Sequence, residues 1–300
     1  MRKARAWILG SLLCTVACGT VTAQNPAGSA SAASEEDTGL TLNANFNGSV
    51  ASGSDVYEWT TTTGYTFNKH FSVDLGAPIL FVHGTTSTGI TTSTSGLGNV
   101  FGQLQFVDKN PVVNFGAVAT VALPTGSSSK GLSTGRVTGD LTGQVAKPIS
   151  RFTPFLSAGI ANSRLDSLYW RLPYVTLGPL AHFEGGISFD LAPPLTISAS
   201  LYDVAPWGTQ KVYSRVVTKT AGGGGTSKHG RVYLANALTT GGSSIDRDNG
   251  FNTDLDIHPW RYVTFDVAYT HSVHFQTDIF SFGVGFNLTP LLRRSGISGR

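Results

Sequence analysis

The sequence is short of charge. Asp, Glu, Lys and Arg make up 13% of its 300 residues, about half the share of an ordinary soluble domain. Cysteine is nearly missing: Cys14 and Cys18 are the two present, both close to the N-terminus. Beyond residue 23 there is therefore no material for a disulfide, a thiolate metal site or a cysteine nucleophile. Beyond the same point no apolar run reaches the roughly 20 residues that a membrane-crossing helix needs. A phosphate-binding glycine loop and an H-E-x-x-H pair are also missing. Nor is there a real excess of base. Lys and Arg number 21 against 18 acids, but Arg2, Lys3 and Arg5 fall at the extreme N-terminus and the remainder is neutral. No nucleic-acid partner is expected without a basic patch or stripe.

What is present begins with an export leader. The basic start is followed by a short apolar run from Ala6 to Cys18 and by Val21-Thr22-Ala23, small or modest side chains at a peptidase site. This predicts cleavage after Ala23. Thr15-Val16-Ala17-Cys18 leaves lipidation at Cys18 as the other reading. The expected organisation is a signal peptide over 1–23, a small, polar, flexible periplasmic lead-in over 24–38, a barrel over 39–288 and a periplasmic tail over 289–300.

From Leu40 onward the dominant pattern is alternation with period two, the mark of a strand with unlike faces. Phe71, Val73, Leu75, Ala77, Ile79 and Phe81 alternate with Ser72, Asp74, Gly76 and Pro78. Val113, Phe115, Ala117, Ala119 and Val121 alternate with Asn114, Gly116 and Thr120. Phe280, Phe282, Val284 and Phe286 alternate with Ser281, Gly283 and Gly285. Strands are predicted near 40–50, 54–67, 70–83, 98–108, 112–124, 135–148, 151–163, 179–191, 194–207, 248–258, 260–272 and 275–288. Short turns at 68–69, 108–111, 148–150, 192–194 and 258–259 take turns with longer Gly/Ser/Thr-rich connections near 84–97, 125–134, 164–178 and 209–247. Short periplasmic turns and long extracellular loops are the habit of outer-membrane barrels. A closed barrel is also the structure, other than a helix, that satisfies its backbone inside lipid. The expected fold class is all-β: a transmembrane, antiparallel, up-and-down β-barrel of about 12 strands. Weaker strand-like pieces at 211–219 and 231–239 leave 14 as the alternative. Tyr57, Trp59, Phe67, Phe71, Phe152, Trp207, Trp260 and Tyr262 fall near strand ends, as interfacial aromatic girdles do.

The last strand carries a further pattern. Ser281, Gly283, Phe286 and Leu288 read as polar, glycine, aromatic and apolar, in the manner of a C-terminal signal for the barrel-insertion machinery. The stretches Gly64 to Phe71, Gly96 to Asn99, Leu123-Pro124-Thr125-Gly126 and Gly131 to Gly135, with the Phe282 to Phe286 ending, resemble outer-membrane proteins named for the MetA pathway of phenol degradation. That resemblance implies a barrel and a transporter of aromatic or other apolar small molecules. It assigns no binding residues.

Projecting each strand gives a candidate lumen face of Glu58, Asp74, Gln103, Gln105, Asn114, Asp140, Gln144, His182, Glu184, Asp190, Asp254, Asp256 and Asp266. Basic residues such as Lys69, Lys109, Lys147, Arg151 and Arg261 fall at the turns. An acidic lumen would favour cations; a hydrated wall without selectivity is the plainer reading. His182 with Glu184, and Asp254 with Asp256 and His258, share strand faces. No nucleophile is tied to them, so no catalytic residue, metal site or cofactor is assigned. The connection at 209–247 carries Lys211, Arg215, Lys219, Lys228 and Arg231 and no acid before Asp246. It is expected either to fold inward against the acidic wall as a plug or to stand outside as a surface hairpin. The expected partners are outer-membrane lipid, the insertion machinery and a small-molecule cargo. Passive uptake or efflux through the barrel is the functional expectation. A closed structural or surface-binding barrel acting through its loops is its rival.

Overall fold

The computed structural model describes residues 38–85, 91–167, 169–216, 219–221, 231–233, 238–260 and 262–290, with the backbone alone at 219–221 and 231–233. Residues 1–37, expected to be signal peptide and lead-in, and the tail from 291 lie outside the described residues, as does Arg261.

The strands run in order β1 (Gly39–Ala51), β2 (Ser54–Thr66), β3 (Phe71–Thr85), β4 (Thr91–Leu97), β5 (Phe101–Asp108), β6 (Asn114–Ala122), β7 (Thr138–Ala146), β8 (Phe152–Ala161) and β9 (Tyr174–Leu177). They continue with β10 (Leu180–Ala192), β11 (Leu195–Pro206), β12 (Gln210–Ser214), β13 (Lys219–Ala221), β14 (Arg231–Tyr233), β15 (Leu238–Gly241), β16 (Asp248–Trp260), β17 (Val263–Ser272) and β18 (Thr277–Asn287). Each barrel strand pairs antiparallel with the next in the chain, and β1 closes the ring on β18 through Asn43↔Asn287 to Ala51↔Ile279. The wall has twelve staves, because β4 and β5 together fill one. β4 pairs with Ile79–Thr85 of β3 and β5 with Phe71–Gly76.

The break between those two pieces has a local cause. The Pro78 carbonyl accepts from the Gly98 amide at 2.8 Å. In an antiparallel strand, carbonyl and amide of one residue face the same neighbour, so the N–H that proline lacks is missing on that side. The predicted strand at 98–108 is thus a stave from 91 to 108 with a break at 98–100. Period two does not mark its first part, because Thr91-Thr92-Ser93-Thr94-Ser95 has no apolar alternation.

The pieces expected at 211–219 and 231–239 do not enter the wall. β12 pairs with β15 and with β9, forming a three-stranded sheet at the long-loop end, and β13 pairs with β14. β9 lies within the connection read as 164–178.

The barrel is inside out relative to a soluble domain. Leu201 is 70% exposed, Phe280 60% and Ile160 58%, while Glu58 and Glu184 on the other face are 2% exposed. Phe67, Phe71, Phe152, Trp207 and Trp260 are exposed at the strand ends. At the short-turn end the polar turn residues satisfy the backbone. Asn68 Oδ1 accepts from the His70 and Phe71 amides, and Asn110 Oδ1 from the Val112 and Val113 amides.

Candidate functional site in the barrel lumen

Every residue projected onto the inner face occupies an inward-pointing strand position. Glu58, Gln103, Gln105, Asp140, His182, Glu184, Asp254 and Asp256 are buried; Asp74, Asn114, Gln144, Asp190 and Asp266 are half-buried. Period two makes this a consequence of register: once one residue of a strand faces in, all of the same parity do. The side chains form small networks within a stave and between neighbouring staves. Gln105 donates to Asp74 (3.0 Å), Thr142 to Asp140 (2.6 Å), Ser200 to Glu184 (2.5 Å) and Thr196 to Asp190 (2.9 Å).

One row is unusual. Reading directly paired positions around the wall gives Glu58, Asn47, Gly283, Asp266, Asp256, Thr196 and Asp190 on a single rung. Four carboxylates thus follow one pairing path, which climbs the tilted wall from Asp190 beside the β10–β11 turn towards Glu58 near the β1–β2 turn. A Cβ on Gly283 would lie 2.2 Å from Asp266 Oδ1 and 2.6 Å from Asn47 Oδ1. The glycine therefore provides the recess in which those two oxygens converge.

The connection from β8 to β9 enters the lumen. β8 and β1 lie six places apart around the ring of twelve, so a loop reaching from one to the other crosses the full diameter. It does so at Arg171, whose amide donates to Ser49 Oγ on β1 at 2.7 Å. The Tyr169 carbonyl accepts from Thr270 Oγ1 on β17 and from Ser281 Oγ on β18. Trp170 and Leu172 pack on Ile279.

Three arginines hold this loop. Arg164 reaches Asp248 at 2.6 Å and lies 4.8 Å from the centre of the Trp170 ring. Arg171 is 1% exposed, with Nε 3.5 Å from Glu58 Oε1 and one terminal nitrogen on the Ser167 carbonyl. Arg215, just past β12, grips Asp166 with two bonds of 3.1 and 2.9 Å and donates to the Leu172 carbonyl. A two-pronged guanidinium–carboxylate pair fixes orientation as well as distance. The cavity left between this loop and the wall, bordered by Arg164, Tyr169, His182, Glu184, Tyr202 and Asn252, measures about 40 Å³, room for roughly three waters.

Among the described residues the segment that crosses the lumen is 162–173, and the 209–247 connection reaches inward at Arg215. Arg215 turns inward and clamps that segment, while Lys211 is exposed. Lys228 and the side chains of Lys219 and Arg231 lie outside the described residues. Opposite charge does draw a loop to the acidic wall, but the cations are Arg164 and Arg171. Sequence reasoning passed over these two and Asp166. A signal was present: Tyr169-Trp170 and two arginines stand in a connection otherwise expected to be small and polar.

Asp246, in the turn before β16, is buried, and that burial pushes its carboxyl up to about 6 although Arg164 acts in the other direction.

His182 Nε2 lies 2.8 Å from Asp140 Oδ2 and 3.4 Å from Thr142 Oγ1, while Glu184 belongs to the separate Ser200 and Asn252 network. The ring leans over Gly159, where a Cβ would lie 2.3 Å from Nε2. Gly131 to Gly135 spells G-x-S-x-G, but it follows a 3₁₀ turn rather than a strand. Ser133 is fully buried and its Oγ accepts the Gly135 amide. That is not the exposed strand-to-helix elbow that such a serine needs. Among the described residues no three His, Cys, Asp or Glu side chains gather as metal ligands.

No protein-family model matches the chain, and no curated protein sequence matches it. Solved structures do. An outer-membrane channel from Pseudomonas putida F1 superposes with a TM-score of 0.54 at 9% identity, over 87% of this chain and 99% of that one. The KdgM porin in complex with disordered oligogalacturonate gives 0.46 at 8% identity, over 81% and 98%. The Pseudomonas putida toluene transporter TodX gives 0.41 at 8% identity, over 83% and 89%. The first of these likenesses shows the fold, a closed antiparallel β-barrel.

Proposed function

We propose that this chain is an outer-membrane channel that passes small polar molecules passively, with the 162–173 loop setting the width of its lumen. The observation that carries this is the pairing of an apolar exterior with an interior that is polar but incompletely matched. Asn45, Asn47, Thr62, Ser157 and His182 each hold a buried polar atom with no partner among the described residues. A wall built only to be rigid would satisfy such groups, because leaving them bare is costly. Water or a passing solute satisfies them here. On this reading the chain is exported, loses its leader after Ala23 and enters the membrane on its Ser281-to-Leu288 signal, with both ends of the barrel chain in the periplasm. The resemblance to the phenol-pathway barrels favours aromatic or apolar cargo. Thr, Ser, Asn, Gln and carboxylate side chains offer such a molecule little, so a polar cargo fits better.

Purified protein in a planar bilayer tests this. The full chain should give small, discrete conductance steps. Replacing 165–171 by a short Gly/Ser linker should raise the step size several-fold. If both proteins insert and neither conducts, the chain is a closed barrel and its loops carry the function.

A further inference from the structure

We infer that the acidic stretch of inner wall facing Arg171 is a binding site for organic cations, guanidinium or ammonium groups carried on small solutes, and that Arg171 occupies it as a tethered stand-in. This rests on the channel reading and names the class of cargo it would admit.

The row supplies the charge. Glu58, Asp266 and Asp256 lie on one rung, and Asp254 faces inward one step above Asp256 on the same strand. Among the described residues no donor reaches either carboxylate oxygen of Asp254 or one oxygen each of Asp256 and Asp266, and the Asp254 and Asp256 carboxyls lie beside one another. The other arginines of the loop assembly are committed, Arg164 to Asp248 and Arg215 to Asp166. Arg171 thus faces more carboxyl groups than it contacts.

The ligand class follows from Arg171 itself. A guanidinium already sits in the site, buried and aimed at Glu58, yet loosely bound. Its one ion contact is 3.5 Å long, and Nε and one terminal nitrogen make no hydrogen bond. A free cation can position its donors without the restraint of a loop, so it can outcompete this arrangement. The carboxylates do not gather as direct metal ligands, which favours a cation that binds through N–H donors. Asn47 strengthens the site: it is 3% exposed, its amide nitrogen is unmatched, and its oxygen shares the recess over Gly283 with Asp266.

The probe is butylguanidinium, with butyrate and butanol as controls, applied to the reconstituted full chain carrying potassium current. In Arg171→Gln the site is vacant. Butylguanidinium should then block the current at concentrations where neither control acts, and the reversal potential in a salt gradient should show cation preference. In the wild type the block should be about tenfold weaker, because Arg171 competes; a tenfold change is ~1.4 kcal/mol. Adding Asp256→Asn and Asp266→Asn to Arg171→Gln should abolish it. Equal block of wild type and Arg171→Gln, block that survives the two Asn changes, or anion preference would overturn the proposal. Heat-modifiable gel migration reports whether each variant is folded. If no variant conducts, the channel reading fails on its own, and calorimetry of butylguanidinium with detergent-solubilised Arg171→Gln still decides the site. Binding that the two Asn changes remove sustains it; no binding ends it.

Discussion

Asp246 shows how one residue outside the wall can report on the loop assembly. Its carboxyl is raised to about 6 by burial, against about 3.9 in an unfolded chain. The packed state therefore holds the proton more tightly than the unfolded one does. The stability from this group is complete below about pH 4, declines as pH rises through about 6, and is absent above. The groups acting on it are Arg164, Asp248 and Thr176. Hydrogen-exchange protection of 163–166 and 243–248, corrected for intrinsic rates, should thus be greater at pH 4 than at pH 7.5. Asp246→Asn should flatten that difference; an unchanged profile in the variant would assign the pH dependence to other carboxylates. Nothing in the sequence marks Asp246. Its environment comes from Arg164, 82 positions earlier in the chain, brought near by the fold.

At the scale of the strand, the sequence was most readable where one face meets an apolar medium. Leu141, Leu156 and Ile160 are exposed on adjacent staves, while Asp140, Thr142 and Ser157, of the opposite parity, are buried. Leu141→Arg should cost on the order of 2–4 kcal/mol if that face lies near the bilayer middle. Gln144→Lys, on the inner face of the same strand, should cost much less. Reversible unfolding of both variants in lipid checks the assignment, and equal losses would refute it. The alternation located the twelve staves because every such strand has one apolar and one polar side. The same test was blind to β4, polar on both faces, and to β9, four residues long with no room for a period. It also could not see that Pro78 would interrupt the neighbouring stave, since that depends on which side of β3 its missing amide faces.

At the scale of the whole molecule, the question is which connection narrows the lumen, and charge alone was a poor guide. Both long connections carry arginines, and the 209–247 one carries more base. What separates them is where anchors for the chain exist. The loop at 162–173 finds Ser49, Ser281 and Thr270 across the barrel for its backbone, and Ile279 for Trp170 and Leu172. Those partners come from β1, β17 and β18, which sequence order places far from β8 and only ring closure brings opposite. Candidate wall residues could be listed strand by strand, but their assembly into one acidic row needed the register of six pairings. A deletion and a substitution separate the contributions. Removing 218–237 while keeping Arg215 should leave single-channel conductance unchanged, because the contacts described across the lumen come from 162–173 and from Arg215. Asp166→Ala releases Arg215 and leaves a buried guanidinium without its carboxylate, a loss that typically costs about 3–5 kcal/mol. It should loosen the loop and produce frequent transitions to a larger conductance, short of the steady increase from trimming 165–171. If the 218–237 deletion raises conductance as much as the loop trim does, the later connection also narrows the pore, and the 162–173 loop is not its sole constriction.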